Sequence, residues 1–281
     1  MMLQSRADRP EQGWKRDFPL QVGLGFFALL TYVPFVFTLV NSFKDNAQFF
    51  ENLWLPAFPF HWENYATAWP RMSESIVNSF SYSIPTLLLV LSISCLTGYT
   101  FARFRFPGRN ILFFAILVLI MLPGILLVIP KFSLIVSLNW TNTPQAVILP
   151  WVAGEIVFGT FLMRTFFETL PQEYFEAARL DGASEFTLIL RIALPLALPA
   201  LGTLAVLNLL FTWNDLIWPL VVILDDSRLP VSAGILAFGT QYSTNYGATF
   251  AAYVIASVPM IVIFAFFSRR FMQGLQGGLS I

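Results

Sequence analysis

Of the chain's 281 residues, 57% are apolar and 11% charged, against roughly 25% charged in an average soluble protein; the deficit excludes an ordinary soluble domain and makes a bilayer the expected solvent. Sixteen Lys plus Arg balance sixteen Asp plus Glu, so no electrostatic pull toward nucleic acid is expected. The one cysteine, Cys95, lies in an apolar stretch and can neither close a disulfide within the chain nor anchor a Cys-rich metal site.

Residues 1–19 read as a polar N-terminal tail with four bases and three acids, a composition suited to an uncleaved anchor rather than a signal peptide. A hydrocarbon core about 30 Å thick demands roughly 20 mainly apolar residues per helix, because lipid offers backbone groups no hydrogen-bond partner. Six stretches meet that demand: Leu20–Val40, Val77–Ala102, Ile111–Pro130, Pro144–Met163, Leu198–Ile223 and Gly247–Phe267. Residues 268–281 remain as a C-terminal tail. The expected fold class is all-α, a polytopic membrane protein with six transmembrane helices forming one domain over 20–267, without internal repeats or low-complexity linkers.

Lys and Arg are distributed unevenly across the alternating connections. The N-terminal tail, second loop, fourth loop and C-terminal tail hold twelve, whereas the first, third and fifth loops hold only Lys44, Arg71, Lys131 and Arg228. By the positive-inside rule both termini and the fourth loop are cytoplasmic. The first outer loop, Ser42–Ile76, carries Trp54, Trp62, Tyr65 and Trp69 among Pro56 and Pro59, which predicts packed non-helical turns with interfacial aromatic contacts and a place to receive a partner. His61, the only histidine, is expected at the surface with no metal cluster within its reach. In the fifth loop, Val231–Phe238 is too short to cross and reads as an interfacial or re-entrant piece. Pro34, Pro85, Pro123 and Pro259 predict kinks in four spans, and Ala248, Ala251, Ala252 and Ala256 predict close packing of the last.

The fourth loop, about 164–195, is too ordered for a linker. Pro171 suits the start of a helix, Glu173 and Glu176 lie near its positive end, and Gly182 supplies the left-handed residue that terminates it. Ser184 then caps a second helix, Glu185–Ile192, before Pro195 and Pro199 bend the chain into the fifth span. Tyr174, Ala177, Ala178 and Asp181 share a face at helical spacing, and the alanines permit close approach of another surface. The plain alternative is a solvated amphipathic loop helix.

Glu155 and Asp215 are the only charges inside the spans and are functional candidates by default. Asn208, Phe211, Asp215 and Trp218 fall on one stripe if the fifth span is a continuous helix. Such a stripe suits a sugar, whose ring face stacks on aromatics while its hydroxyls need donors and acceptors; hydrogen bonds between helices explain Asn208 and Asp215 equally well. Trp213 and Asn214 lie off the stripe. Glu155, flanked by Gly154 and Gly159, reads as structural.

The loop's Glu176-Ala177-Ala178, then Gly182, then Ile192-x-Leu194-Pro195 resembles the EAA signature of ATP-binding-cassette importer permeases at every defined position. The resemblance extends over nearly all six spans and lies nearest the carbohydrate type. Supporting strings are Asn64-Tyr65, Tyr99-x-Phe101-Ala102-Arg103, Trp213-Asn214-Asp215-x-x-Trp218-Pro219 and Arg270-Phe271-x-x-Gly274-Leu275. What the resemblance implies is a prokaryotic, multi-pass subunit of the cytoplasmic membrane that performs no covalent chemistry. The EAA helix would dock on a separate ATPase through Glu173, Glu176, Ala177, Ala178, Asp181, Gly182, Ile192, Leu194 and Pro195. The chain carries no phosphate-binding loop of the type G-x-x-x-x-G-K-[ST] and would bind no cofactor; ATP and Mg would be used by two cytoplasmic ATPase subunits. A second permease, an extracytoplasmic solute-binding protein, a sugar, polyol or glycerol phosphate solute, and membrane lipid complete the implied partners. The rival reading is an ion-coupled secondary transporter using Asp215 and Glu155; an intramembrane hydrolase ranks last, since no nucleophile and base can be paired across spans.

Overall fold

The computed structural model describes residues 10–277, so the outer ends of both expected tails fall outside it. The described residues form helices joined by turns and short extended stretches, with no strand among them. They divide into two units, one comprising residues up to Ala68 with Tyr242–Val254, the other Trp69–Gln241 with the residues from Ile255 onward.

In the first unit, α1 (Pro10–Asn41) carries the first span and its most apolar stretch is unburied in this chain. The loop after it is more helical than its aromatic and proline content predicts. Helix α2 (Asn46–Glu51) is started by a capping box in which Asp45 and Gln48 satisfy each other's backbone donors, and α3 (Glu63–Arg103) begins fourteen residues before the expected Val77. At 1.5 Å per residue, α3 is roughly 60 Å long and outruns a bilayer core. Asn64 ties the connection together: its Nδ2 donates to the carbonyls of Ser42 (3.0 Å) and Lys44 (2.9 Å), while Tyr65 Oη meets Ser42 Oγ at 2.7 Å. His61 lies partly open at the surface, as expected, and is held by two carboxylates. Its ring lies between Glu63 (2.5 Å) and Asp45 (3.6 Å), with 21% of the side chain exposed.

The second unit holds α4 (Arg109–Ile120), α5 (Val128–Ser137), α6 (Pro144–Thr169), α7 (Glu173–Leu180), α8 (Glu185–Leu188), α9 (Leu194–Leu196), α10 (Leu198–Asn214), α11 (Ile217–Val222) and α12 (Val231–Gln241), together with most of α3 and the later part of α13 (Tyr246–Gly277). Its core gathers Val90, Tyr99, Met163, Phe167, Phe175, Leu188 and Leu204, with a second cluster around Tyr82, Ile135, Trp151, Trp218 and Val222. Helices α3 and α6 meet closely at Gly159, where an added Cβ would collide with Ser94 and come within 3.2 Å of Leu204. On α13, Ala248, Ala251 and Ala252 of the first unit and Ala256 of the second are buried.

Two expected spans are not straight helices. The third breaks at Pro123, whose extended backbone and missing N–H interrupt the ladder; α4 and the segment Gly124–Ser137 meet at 95°. The fifth stops at Asn214, because Asp215 is extended at ψ 111°, and resumes as α11. The segment Glu185–Leu196 bends by 73° into α10, at the position of Pro199 in the first turn of α10. Among the described residues, four helices are long and apolar enough to cross a membrane, or up to six when each bent pair counts as one span. At the other three expected kinks the helices run on through Pro34, Pro85 and Pro259.

Candidate functional site

An eight-residue helix has too few internal hydrogen bonds to persist alone, so α7 depends on what it packs against. Its anchor is Phe175, only 1% exposed. The ring lies 6.1 Å from that of Tyr99, and the Arg103 guanidinium covers it at 4.2 Å. The same guanidinium donates to the Phe167 carbonyl at 2.7 Å and the Leu170 carbonyl at 2.8 Å, at the end of α6, where the Phe167 carbonyl also accepts from the Leu170 N–H.

The far end of α7 closes in a Schellman turn. Gly182, at φ +82°, lets its N–H reach the Arg179 carbonyl (3.0 Å) and brings the Ala183 N–H to the Ala178 carbonyl (2.9 Å). Ser184 then caps α8 as expected, accepting from the Thr187 N–H. The expected helix to Ile192 is not regular, since Ile189–Ala193 is a π turn in which the Leu194 N–H reaches back to Ile189. Pro195 has no N–H to offer the preceding turn, and the helix widens there. Glu185 joins the pieces, accepting from Arg179 Nε at 2.8 Å and from the Tyr99 hydroxyl at 3.3 Å. That hydrogen bond holds the Arg179 guanidinium above its usual pKa.

The signature residues divide between two directions. Glu173, Glu176, Ala177, Asp181, Gly182 and Pro195 are exposed, together with Tyr174 and the 90% exposed Leu180. Ala178, Ile192 and Leu194 pack instead against the core. The face predicted from Tyr174, Ala177, Ala178 and Asp181 is thus corrected: Ala178 turns inward, and the open surface is completed by Leu180. Glu176 accepts from Gln172 Nε2 at 2.7 Å. Beside α7, a hollow of about 390 Å³ is lined by Tyr174, Arg191, Ile192, Pro195 and Leu196. Tyr99, Arg103, Phe175 and the Arg179–Glu185 pair were not assigned to the site from sequence. The signal was present in Phe175, which lies on a different helix face from the exposed Glu173 and Glu176 side chains.

The expected stripe of Asn208, Phe211, Asp215 and Trp218 does not lie on one helix, because α10 ends before Asp215. Asp215 bridges the break: Oδ2 accepts from Trp151 Nε1 at 2.6 Å, Oδ1 from the Trp218 N–H at 3.4 Å, and its carbonyl accepts from Ser232 Oγ. Trp218 is buried, with Nε1 on the Ala146 carbonyl and Lys131 Nζ 4.8 Å over its ring. Asn208, fully buried, donates to Glu155 at 3.4 Å. Phe211 is 43% exposed. Trp213, off the stripe, is buried against Phe80. The described residues hold no group of three or more His, Cys, Asp or Glu able to bind a metal.

Residues 91–277 match the family model described as binding-protein-dependent transport system inner membrane component. The chain is 30% identical over 258 residues to the diacetylchitobiose uptake system permease protein NgcG of Streptomyces coelicolor, covering 90% of this chain and 85% of that one. It is 32% identical to the arabinooligosaccharides transport system permease protein AraQ of Halalkalibacterium halodurans, covering 92% and 94%. It is 30% identical to the sn-glycerol-3-phosphate transport system permease protein UgpE of Yersinia pestis, covering 88% and 91%. Its fold resembles a chain in the crystal structure of a bacterial ABC transporter involved in the import of the acidic polysaccharide alginate, at TM-score 0.79 and 22% identity, over 96% of this chain and 100% of that one. A chain of the alginate transporter in complex with an alginate pentasaccharide-bound periplasmic protein matches at TM-score 0.68 and 17% identity, covering 92% and 96%. The chain belongs to the binding-protein-dependent inner-membrane-component family, the non-enzymatic permease subunits of ATP-binding-cassette importers.

Proposed function

We propose that this chain is one of two permease subunits of an importer for an oligosaccharide or a related solute such as a polyol or glycerol phosphate. Two ATPase subunits drive it, and an external binding protein delivers the solute. Both termini and the 164–195 loop face the cytoplasm, in keeping with twelve Lys and Arg on that side against four on the other. The 20–267 segment is the membrane domain, with residues 1–19 and 268–281 as cytoplasmic tails. The observation that carries the reading is α7, held inward by Phe175 while Glu173, Glu176, Ala177 and Asp181 remain open to a partner. Pro195 borders the same surface, Gly182 sets the exit angle of α7, and Ala178, Ile192 and Leu194 seat the loop on the membrane helices.

ATP binding closes the ATPase pair, and the docked loops convert that closure into an outward-facing pathway; hydrolysis resets it. In the pathway Phe211 is the exposed ring available to stack on a sugar face, while Asn208, Asp215 and Trp218 shape the wall through their partners within the chain. Relatives that carry diacetylchitobiose, arabino-oligosaccharides or glycerol 3-phosphate by their names support this solute class. The test is to purify the complex through a tag on this chain, reconstitute it in liposomes and measure uptake of these three labelled solutes. ATP-dependent accumulation with co-purified ATPase is expected. Accumulation without nucleotide, collapsed by an ionophore, would overturn the assignment in favour of ion coupling through Asp215 and Glu155.

A further inference from the structure

A loop helix that receives force from an ATPase does work on the membrane helices only through contacts stiff enough to resist sliding. Apolar packing alone resists sliding poorly, because it is non-directional. Directional bonds are therefore the place to look for the joint. Near α7 they converge on one side chain, Arg103, the last residue of α3.

Contacts to α6 and to α7 meet there, beside a further one made from the same helix. The Arg103 guanidinium edge holds two carbonyls at the end of α6, those of Phe167 and Leu170. Its face lies 4.2 Å over Phe175, the buried anchor of α7. Its backbone belongs to α3, whose Tyr99, one turn earlier, reaches Glu185 just beyond α7. Both bonds come from one nitrogen, Nη2, whose N–H groups lie in the guanidinium plane and leave its face free to cover Phe175; a lysine ammonium has no planar face to stack in this way. The linkage also spans sequence distances of 64 and 67 residues in its two carbonyl bonds, so it is not a consequence of the loop's own folding.

We propose that Arg103 is a positioning residue that locks the loop helix to α3 and α6 together, making the three move as one body when the ATPases close. This rests on the permease reading given above. If the lock is absent, α7 stays seated on the ATPase and follows it, but the membrane helices lag and nucleotide is spent without solute movement.

The experiment is Arg103→Lys in the reconstituted complex, read as solute taken up per ATP hydrolysed, with ATPase co-purification measured alongside. Whichever of labelled diacetylchitobiose, arabino-oligosaccharide or glycerol 3-phosphate the unmodified complex accumulates serves as the probe. The expected result is a tenfold or greater fall in the uptake-to-hydrolysis ratio with ATPase recovery unchanged. Phe175→Leu, which keeps apolar volume and removes the ring face, is expected to give a smaller fall in the same direction. A ratio unchanged from wild type, whether both rates persist or both drop in proportion, overturns the proposal, as does failure of both variants to assemble, since each assigns Arg103 a purely structural role. ATP-independent uptake by the unmodified complex would instead sink the permease reading itself, so the two failures are told apart.

Discussion

Replacing Gly182 with alanine isolates the termination of α7 from everything else in the loop. At φ +82° the residue sits in the left-handed region, and a Cβ built there meets no atom within 4 Å. The cost is therefore backbone strain without a clash, about 1–2 kcal/mol for an ordinary L-residue. Two hydrogen bonds depend on that conformation, from Gly182 to Arg179 and from Ala183 to Ala178. A penalty of this size shifts the balance between the closed and frayed turn by roughly 5- to 30-fold. Hydrogen exchange of the amides from 177 to 183, followed in lipid nanodiscs, reads that balance directly. Gly182→Ala is expected to exchange faster by about that factor, and Gly182→Asn by less, because asparagine tolerates the left-handed region. Equal protection in wild type and Gly182→Ala, or an asparagine variant as fast as alanine, would refute the argument that the turn's backbone geometry holds the helix end.

Other consequences follow from contacts already described. Gly159→Ala should lower the melting temperature through a collision with Ser94 worth about 1–3 kcal/mol, and Ser94→Gly in the same chain should restore it; a double variant no better than the single would show that the strain lies elsewhere. Phe175→Ala removes a fully buried ring, which costs about 3–5 kcal/mol in a core. Limited proteolysis should then cut within 171–184 while the membrane helices stay intact. Asp215→Asn leaves a single carbonyl acceptor where Trp151 Nε1 and the Trp218 N–H each now have an oxygen. Tryptophan-detected unfolding should register a loss of about 1–3 kcal/mol, and an unaltered unfolding curve would contradict the bridging role.

The parts of this protein that could be read from sequence are those whose causes are local. Long apolar stretches announce helices because a bilayer leaves no other way to satisfy a backbone, and four of them are single helices here. Ser184 and Gly182 act on groups close by in the chain, so the end of α7 and the start of α8 were visible in the order of residues. Conformation at the fifth span was not. An apolar average runs straight through Asp215, whereas the chain breaks there and its carboxylate is held by Trp151, 64 residues earlier. The pairing of His61 with Asp45 was likewise hidden until folding brought the two together. The anchoring of α7 depends in the same way on Arg103 meeting carbonyls from another helix. Periodicity and capping act over a few residues, while a hydrogen bond or a stacked ring joins whatever the fold brings within reach, and only the assembled helices determine which groups those are.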